Sequence, residues 1–325
     1  MKYLPENWRY VIHRTPRVTA RIIFEMIFGG PGNVGLTYAP VQRTRIIFYL
    51  PLHYRFLHSP EKDPQKHMEV FMKTIAVNTI KGGTGKSTLA AVFINALSGA
   101  GYRCLAIDAD ASNNSLSFHL DYSGELEESN TIFNLFMGDP IRDCANKIND
   151  RLDLIRGDVR LNEFRSTDSL KKLKRSLQGL KYDFVIIDTS PTYDNIIGNV
   201  LTASDILLIP VLQDLFTYQA LRYQFEKLAD LELDNLDTHI IFNQFDKPQT
   251  ENQDAYRNQI TNLFLEDKTF KPFINPNRIS RSSVFRKYIN KAHYRIDGKT
   301  ETMKVYEEIK NLIKSILDID IKEGF

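Results

Sequence analysis

The sequence predicts an α/β fold, a doubly wound and mostly parallel sheet with helices on both faces, and three observations carry that reading. From Met72 onward, short apolar runs alternate with amphipathic helical segments, the pattern of a parallel sheet covered on both sides. A glycine-rich run, Lys81-Gly82-Gly83-Thr84-Gly85-Lys86-Ser87-Thr88, comes straight off the apolar stretch Thr74-Ile75-Ala76-Val77. Two later apolar runs finish in carboxylates, at Asp108 and Asp188. A ligand is expected at the carboxyl ends of the strands, where such sheets open.

Taken in order, strands are predicted over 74–78, 104–108, 152–155, 184–188, 206–211 and 238–242, and helices over 87–99, 131–136, 169–178, 195–203, 216–231, 254–265, 282–292 and 302–317. The run between the first strand and the first helix reads as a phosphate-binding loop. Glycines at 82, 83 and 85 let the backbone curl so that successive N–H groups, with those of Thr84 and Thr88, face an anion; Lys86 adds a cation and Ser87 a hydroxyl for Mg²⁺. The helix that follows aims its N-terminal dipole at the same phosphates.

The second strand ends in Asp108-Ala109-Asp110, and period-two alternation sends both carboxylates to one side. Phosphoryl transfer needs one acidic group to hold the metal's water shell and another group to orient the attacking water. Phe184-Val185-Ile186-Ile187-Asp188 is an apolar run that ends in a further carboxylate, able to bind Mg²⁺ through water. Ile240-Ile241-Phe242-Asn243 closes another strand with an amide, which on its own reads as a turn cap.

These motifs resemble the ParA/MinD family of P-loop ATPases. The loop has Ile80 where the general pattern wants glycine and an extra lysine, Lys81, at its entrance, as in that family's deviant Walker A motif. Asp108-Ala109-Asp110 is similar to its D-x-D-P-Q motif, with Ala111 and Ser112 where Pro and Gln are usual, and Lys181-Tyr182-Asp183 through Pro191 is similar to its Walker B segment. The resemblance covers nearly all of residues 72–317. It implies ATP and Mg²⁺ as cofactors, Lys81 reaching the partner subunit's nucleotide in an ATP-bound homodimer, Asp110 positioning water, Asp108 and Asp188 supporting Mg²⁺, and Asn243 reading adenine. Of the ParA and MinD branches it favours ParA, hence nonspecific DNA, a ParB-like activator and a nucleoid-associated cytoplasmic protein. Arg278, Arg281, Arg286, Lys287 and Lys291 are the expected DNA contacts. A MinD-like ATPase at the membrane and a nucleotide-gated scaffold with negligible turnover are the alternatives. The 302–317 stripe of Met303, Tyr306, Ile309, Ile313, Ile316 and Leu317 reads as core packing in preference to a membrane helix.

Composition bounds these readings. In 325 residues, 42% hydrophobic and 25% charged, there are two cysteines and no C-x-x-C pair, which argues against a disulfide framework or a cysteine-bound cluster and fits a reducing cytoplasm. The apolar run near the N-terminus is broken by Glu25, Gly29, Pro31, Arg43 and Pro51, too short to span a bilayer. Residues 1–71 carry ten Lys and Arg against five Asp and Glu, a basic extension set apart from the ATPase domain expected over 72–325. It reads as a nucleic-acid arm, a targeting sequence, or translated upstream DNA. The last is favoured, because Met72-Lys73-Thr74-Ile75-Ala76 resembles the family's usual start and Met68-Glu69-Val70 is encodable by a ribosome-binding sequence.

Overall fold

The computed structural model describes residues 72–112, 114–120, 130–164, 169–233, 236–246, 250–285 and 300–321. The N-terminal extension therefore lies outside the described residues, as do Arg286, Lys287, Lys291 and most of the helix predicted over 282–292. The apolar runs pair as β1 (Lys73–Val77), β2 (Cys104–Ala109), β4 (Leu152–Ile155), β5 (Phe184–Thr189), β6 (Ile206–Val211) and β7 (Asp237–Phe242). All of these are parallel to their neighbours in the order β4-β2-β5-β1-β6-β7. β2, β5 and β6 are buried along their whole length, as strands covered on both faces must be.

The two faces separate by alternation. Ile75, Val77, Ala106, Ile186 and Leu208 join one core cluster with α1 (Lys86–Gly99), α2 (Ser115–Leu120) and α9 (Thr300–Leu317). Ala76, Leu105, Ile107, Val185 and Ile187 join the opposite one, with α3 (Ile132–Met137), α5 (Lys172–Ser176), α6 (Asn195–Ala203), α7 (Leu215–Asp230) and α8 (Glu251–Glu266). The chain runs from β1 outward to β2 and β4, then returns to insert β5 between β2 and β1. The carboxyl ends of β1, β2 and β5 thus stand side by side, with Asp188 in register with Val77 on one flank and Asp108 on the other.

The differences from the predicted elements are local. A seventh strand, β3 (Asn146–Asn149), pairs antiparallel to β4 at the sheet edge; its Asn-Lys-Ile-Asn sequence is too polar to read as a strand, and it is held partly by Asn146 Nδ2 donating to the Leu154 carbonyl at 3.1 Å. The short helices α2 and α4 (Ile141–Cys144) are below the length at which periodicity is legible. α5 is shorter than the predicted 169–178. α8 begins at Glu251 instead of 254, because Thr250 caps it by accepting from the Gln253 N–H.

The last helix spends its apolar stripe on the core. Val305, Tyr306, Ile309, Leu312 and Ile313 are each at most 2% exposed, whereas Met303 is 38% exposed. Ile309→Ala is expected to destabilise the protein by about 2–5 kcal/mol, the range for emptying a well-packed aliphatic site, as measured by urea denaturation.

Candidate functional site

Gly85 caps α1 in the left-handed region, at φ 89°. A Cβ there would lie 2.5 Å from Asn243 Nδ2, so the position demands glycine on both conformational and steric grounds. The close approach has a purpose: Asn243 Nδ2 donates to the Thr84 carbonyl at 2.7 Å, and Gln244 Nε2 to the Gly83 carbonyl at 2.9 Å. Two consecutive amides at the end of β7 thus tie down the phosphate loop. Because a peptide is planar and trans, each anchored carbonyl turns the N–H of the same unit the opposite way, the side on which such a loop receives phosphate. Asn243, expected to read a base, holds the loop through its donor; Gln244 was not singled out in the sequence.

Lys86, the first residue of α1, is 7% exposed. Burial pushes its pKa down, and the negative charges of Asp188 and Asp110 oppose that shift. Asp188 is fully buried, and its carboxylate oxygens have no close hydrogen-bond partner beyond the Ser87 hydroxyl beside them. Its pKa is raised well above the ordinary carboxylate range, chiefly by burial and then by Asp108; the nearby Ser87 hydroxyl and Lys86 moderate the rise. Asp108, equally buried, is differently placed. Its Oδ2 accepts from the Ser117 N–H at 2.8 Å and the Ser117 hydroxyl at 2.7 Å, and its Oδ1 from the Asp110 N–H at 3.1 Å. Burial still lifts it to about 6. Of the two carboxylates expected to support Mg²⁺, Asp188 is the one with uncommitted lone pairs.

Asp110, 4% exposed, accepts at Oδ1 from both the N–H and the hydroxyl of Ser112. The serine that departs from the family's glutamine therefore fixes the rotamer of the aspartate it follows. Lys81 stands apart from this buried group. It is half-buried at the loop's entrance, with Nζ 5.8 Å from the ring centre of Phe216, a residue 72% exposed.

A Mg²⁺–nucleotide fits these residues. The buried oxygens of Asp188 have lone pairs to spare, with the Ser87 hydroxyl and the Lys86 charge beside them. Among the described residues there is no group of three or more His, Cys, Asp or Glu able to hold a metal. A hard cation here must therefore draw most of its oxygens from phosphate and water, as Mg²⁺ does. Beyond the loop lies a cleft of about 580 Å³ lined by Gly85, Thr88, Asn243, Asp246, Ile279 and Arg281. Arg281, expected to contact DNA, faces this cleft and pairs with Asp246 at 3.0 Å. Arg278 is exposed, its guanidinium 3.9 Å from the Phe245 ring centre.

The sequence profile of a family described as an AAA domain matches residues 72–240. An uncharacterized protein of Methanocaldococcus jannaschii is 30% identical over 198 residues, 54% of this chain and 74% of that protein. The chromosome partitioning protein ParA of Caulobacter vibrioides is 29% identical over 164 residues, 46% of this chain; the chain spans only 60% of its length. A plasmid partition protein of Borrelia burgdorferi, solved with AMPPNP, superposes with a TM-score of 0.61 at 24% identity, covering 75% of this chain and 98% of that one. That last likeness speaks to fold.

Two substitutions separate the parts of the site. Gly85→Ala forces the Asn243 amide off Thr84 and is expected to lower ATP affinity more than about tenfold, as loss of a buried hydrogen bond and a left-handed glycine implies. Asp188→Asn, which removes the carboxylate placed to support the metal, is expected to abolish the dependence of nucleotide affinity on Mg²⁺. Equilibrium binding of a fluorescent ATP, with and without EDTA, measures both.

Proposed function

Because the chain belongs to the AAA domain family and, within it, to the ParA/MinD type of P-loop ATPase, we propose that it dimerises around ATP, binds DNA without regard to sequence in that state, and positions DNA cargo such as a plasmid or chromosome. The observation that carries this reading is the contrast between the two loop lysines. Lys86 is buried among its own subunit's carboxylates, whereas Lys81 sits at the rim against an exposed aromatic. A cation placed outside its own site is suited to a phosphate in another.

In this reading Gly82 to Thr88 wrap the phosphates with backbone N–H groups, and Lys86 offsets their charge. Ser87 and Asp188 would hold Mg²⁺, which would supply neutralisation of phosphate charge, with Asp108, fixed by Ser117 and the Asp110 N–H, supporting it. Asp110, its Oδ1 engaged by Ser112, orients the attacking water, and Asn243 combines bracing of the loop with contact to adenine. Lys81 completes the partner's site. Hydrolysis, stimulated by a ParB-like protein, releases DNA and resets the cycle. The protein would then work in the cytoplasm on the nucleoid. One observation favours DNA over a membrane: α9 buries its apolar stripe in the core, leaving it no free apolar face to lay on a lipid surface.

Three variants test the division of labour. Lys86→Ala is expected to lose ATP binding. Asp110→Ala is expected to keep ATP and accumulate dimer while turnover falls about a hundredfold or more, since a residue that orients water acts on the transition state. Lys81→Ala is expected to keep monomer affinity and lose the dimer. Nucleotide binding, light scattering with a non-hydrolysable analogue and phosphate release read these outcomes; equal loss of ATP in all three would refute the assignment.

DNA binding is tested by salt. ATP-bound protein is expected to bind duplexes of arbitrary sequence with an affinity that falls steeply as salt rises. Replacing Arg286 and Lys287 by Ala in each subunit is expected to weaken all sequences alike and lower the salt slope by roughly one to two per pair of lost phosphate contacts. Fluorescence anisotropy over a salt series provides the slope; sequence-selective loss would indicate base reading instead.

A further inference from the structure

Below the phosphate loop, a chain of buried side-chain hydrogen bonds joins elements remote in sequence. Gln224 of α7 donates from Nε2 to Asn78 Oδ1 at 2.9 Å; Asn78 donates from Nδ2 to Thr189 Oγ1 at 2.8 Å; and Thr189 donates to the Val77 carbonyl at 2.8 Å. At its other end Gln224 Oε1 accepts from the Ile80 N–H at 3.4 Å. Gln224, Asn78 and Thr189 are all fully buried. Every donor in the chain meets an acceptor, so the orientation of each amide is determined by the next. Buried amides are costly unless both ends are satisfied, and these are satisfied only while β1, β5 and α7 keep their relative positions.

The two ends of this chain fall at telling places. Ile80 immediately precedes Lys81, and Thr189 immediately follows Asp188. The first turn of α7 also bears Phe216, over whose ring Lys81 Nζ lies. α7 therefore holds the entrance of the loop twice, through its backbone from below and through the Lys81 side chain at the rim. None of these contacts involves Lys86.

We propose that Gln224 is a positioning residue for Lys81: through Ile80 and Asn78 it sets the direction in which Lys81 leaves the sheet, and through Thr189 it ties that setting to the end of the Asp188 strand. The inference rests on the reading that Lys81 acts across an ATP-bound dimer. Gln224 touches no nucleotide and acts only through its neighbours. Displacement of the Asp188 strand end is passed along the same hydrogen bonds to the loop entrance.

The test is a double-mutant cycle in the full chain, with ATP affinity, analogue-induced dimerisation and turnover measured for each variant. Gln224→Met keeps the length of the side chain and removes its hydrogen bonds. It is expected to leave monomer ATP affinity within about threefold and to reduce dimerisation and turnover about tenfold or more, the consequence of losing a buried hydrogen-bonded brace. In the Lys81→Ala background, measured at protein concentrations raised until residual dimer and turnover are readable, it is expected to add nothing further, because its effect runs through Lys81. Losses that multiply in the double variant, or a fall in ATP affinity matching the fall in turnover, would identify a merely structural residue and overturn the proposal. If Gln224→Met does not fold, Thr189→Val breaks the same chain at its far end and is held to the same outcomes. Wild-type dimerisation by Lys81→Ala would instead bring down the reading of Lys81 itself, and this inference with it.

Discussion

A buried carboxylate with too few partners for its charge is the constraint around which this protein is arranged. Asp188 sits at the end of a central parallel strand, in register with a second buried aspartate, and only the charge of Lys86 and the Ser87 hydroxyl moderate its ionisation. Such a group is costly in an empty protein and valuable beside a bound cation. The sheet order makes the juxtaposition unavoidable, since β5 enters between β2 and β1 and carries Asp188 to where both the Asp108 strand and the phosphate loop end. Stability is thereby lost where ligand binding gains it.

The phosphate loop is held in shape by parts of the molecule that contribute no phosphate contact. β7 supplies two amides to its carbonyls, α7 supplies Gln224 to its entrance, and α9 packs in the same core cluster as the helix that follows it. Rigid support of this kind is what lets backbone N–H groups act as a preorganised anion site with little reorganisation on binding. It also explains why Gly85 admits no side chain: the space a methyl group would fill is taken by the brace.

Much of this was legible in the sequence. The six parallel strands are apolar runs with few interruptions, and the loop and its carboxylates announce themselves through spacing. What stayed hidden has common physical causes. β3 is polar because an edge strand needs little burial, and α2 and α4 are too short to show a period. Gln224, Gln244 and Ser117 sit in segments whose local pattern says only helix or strand end; their partners lie far away in the chain, and single-sequence reading does not see pairings at that distance. Asp108 and Asp188 looked alike as strand-terminal acids, and only their surroundings distinguish a carboxylate saturated by Ser117 and the Asp110 N–H from one left open. Arg281 read as part of a basic face, yet Asp246 partners it at the mouth of the cleft.

The brace on the phosphate loop has a consequence for synthesis. Asn243 and Gln244 bond to carbonyls 159 and 161 residues earlier in the chain. The loop is translated almost first in the domain and its clamps emerge only after all seven described strands, so a nascent chain carries the whole glycine-rich motif for most of its synthesis without the means to hold it open. A truncated product ending before Asn243 would thus display the motif and lack the grip.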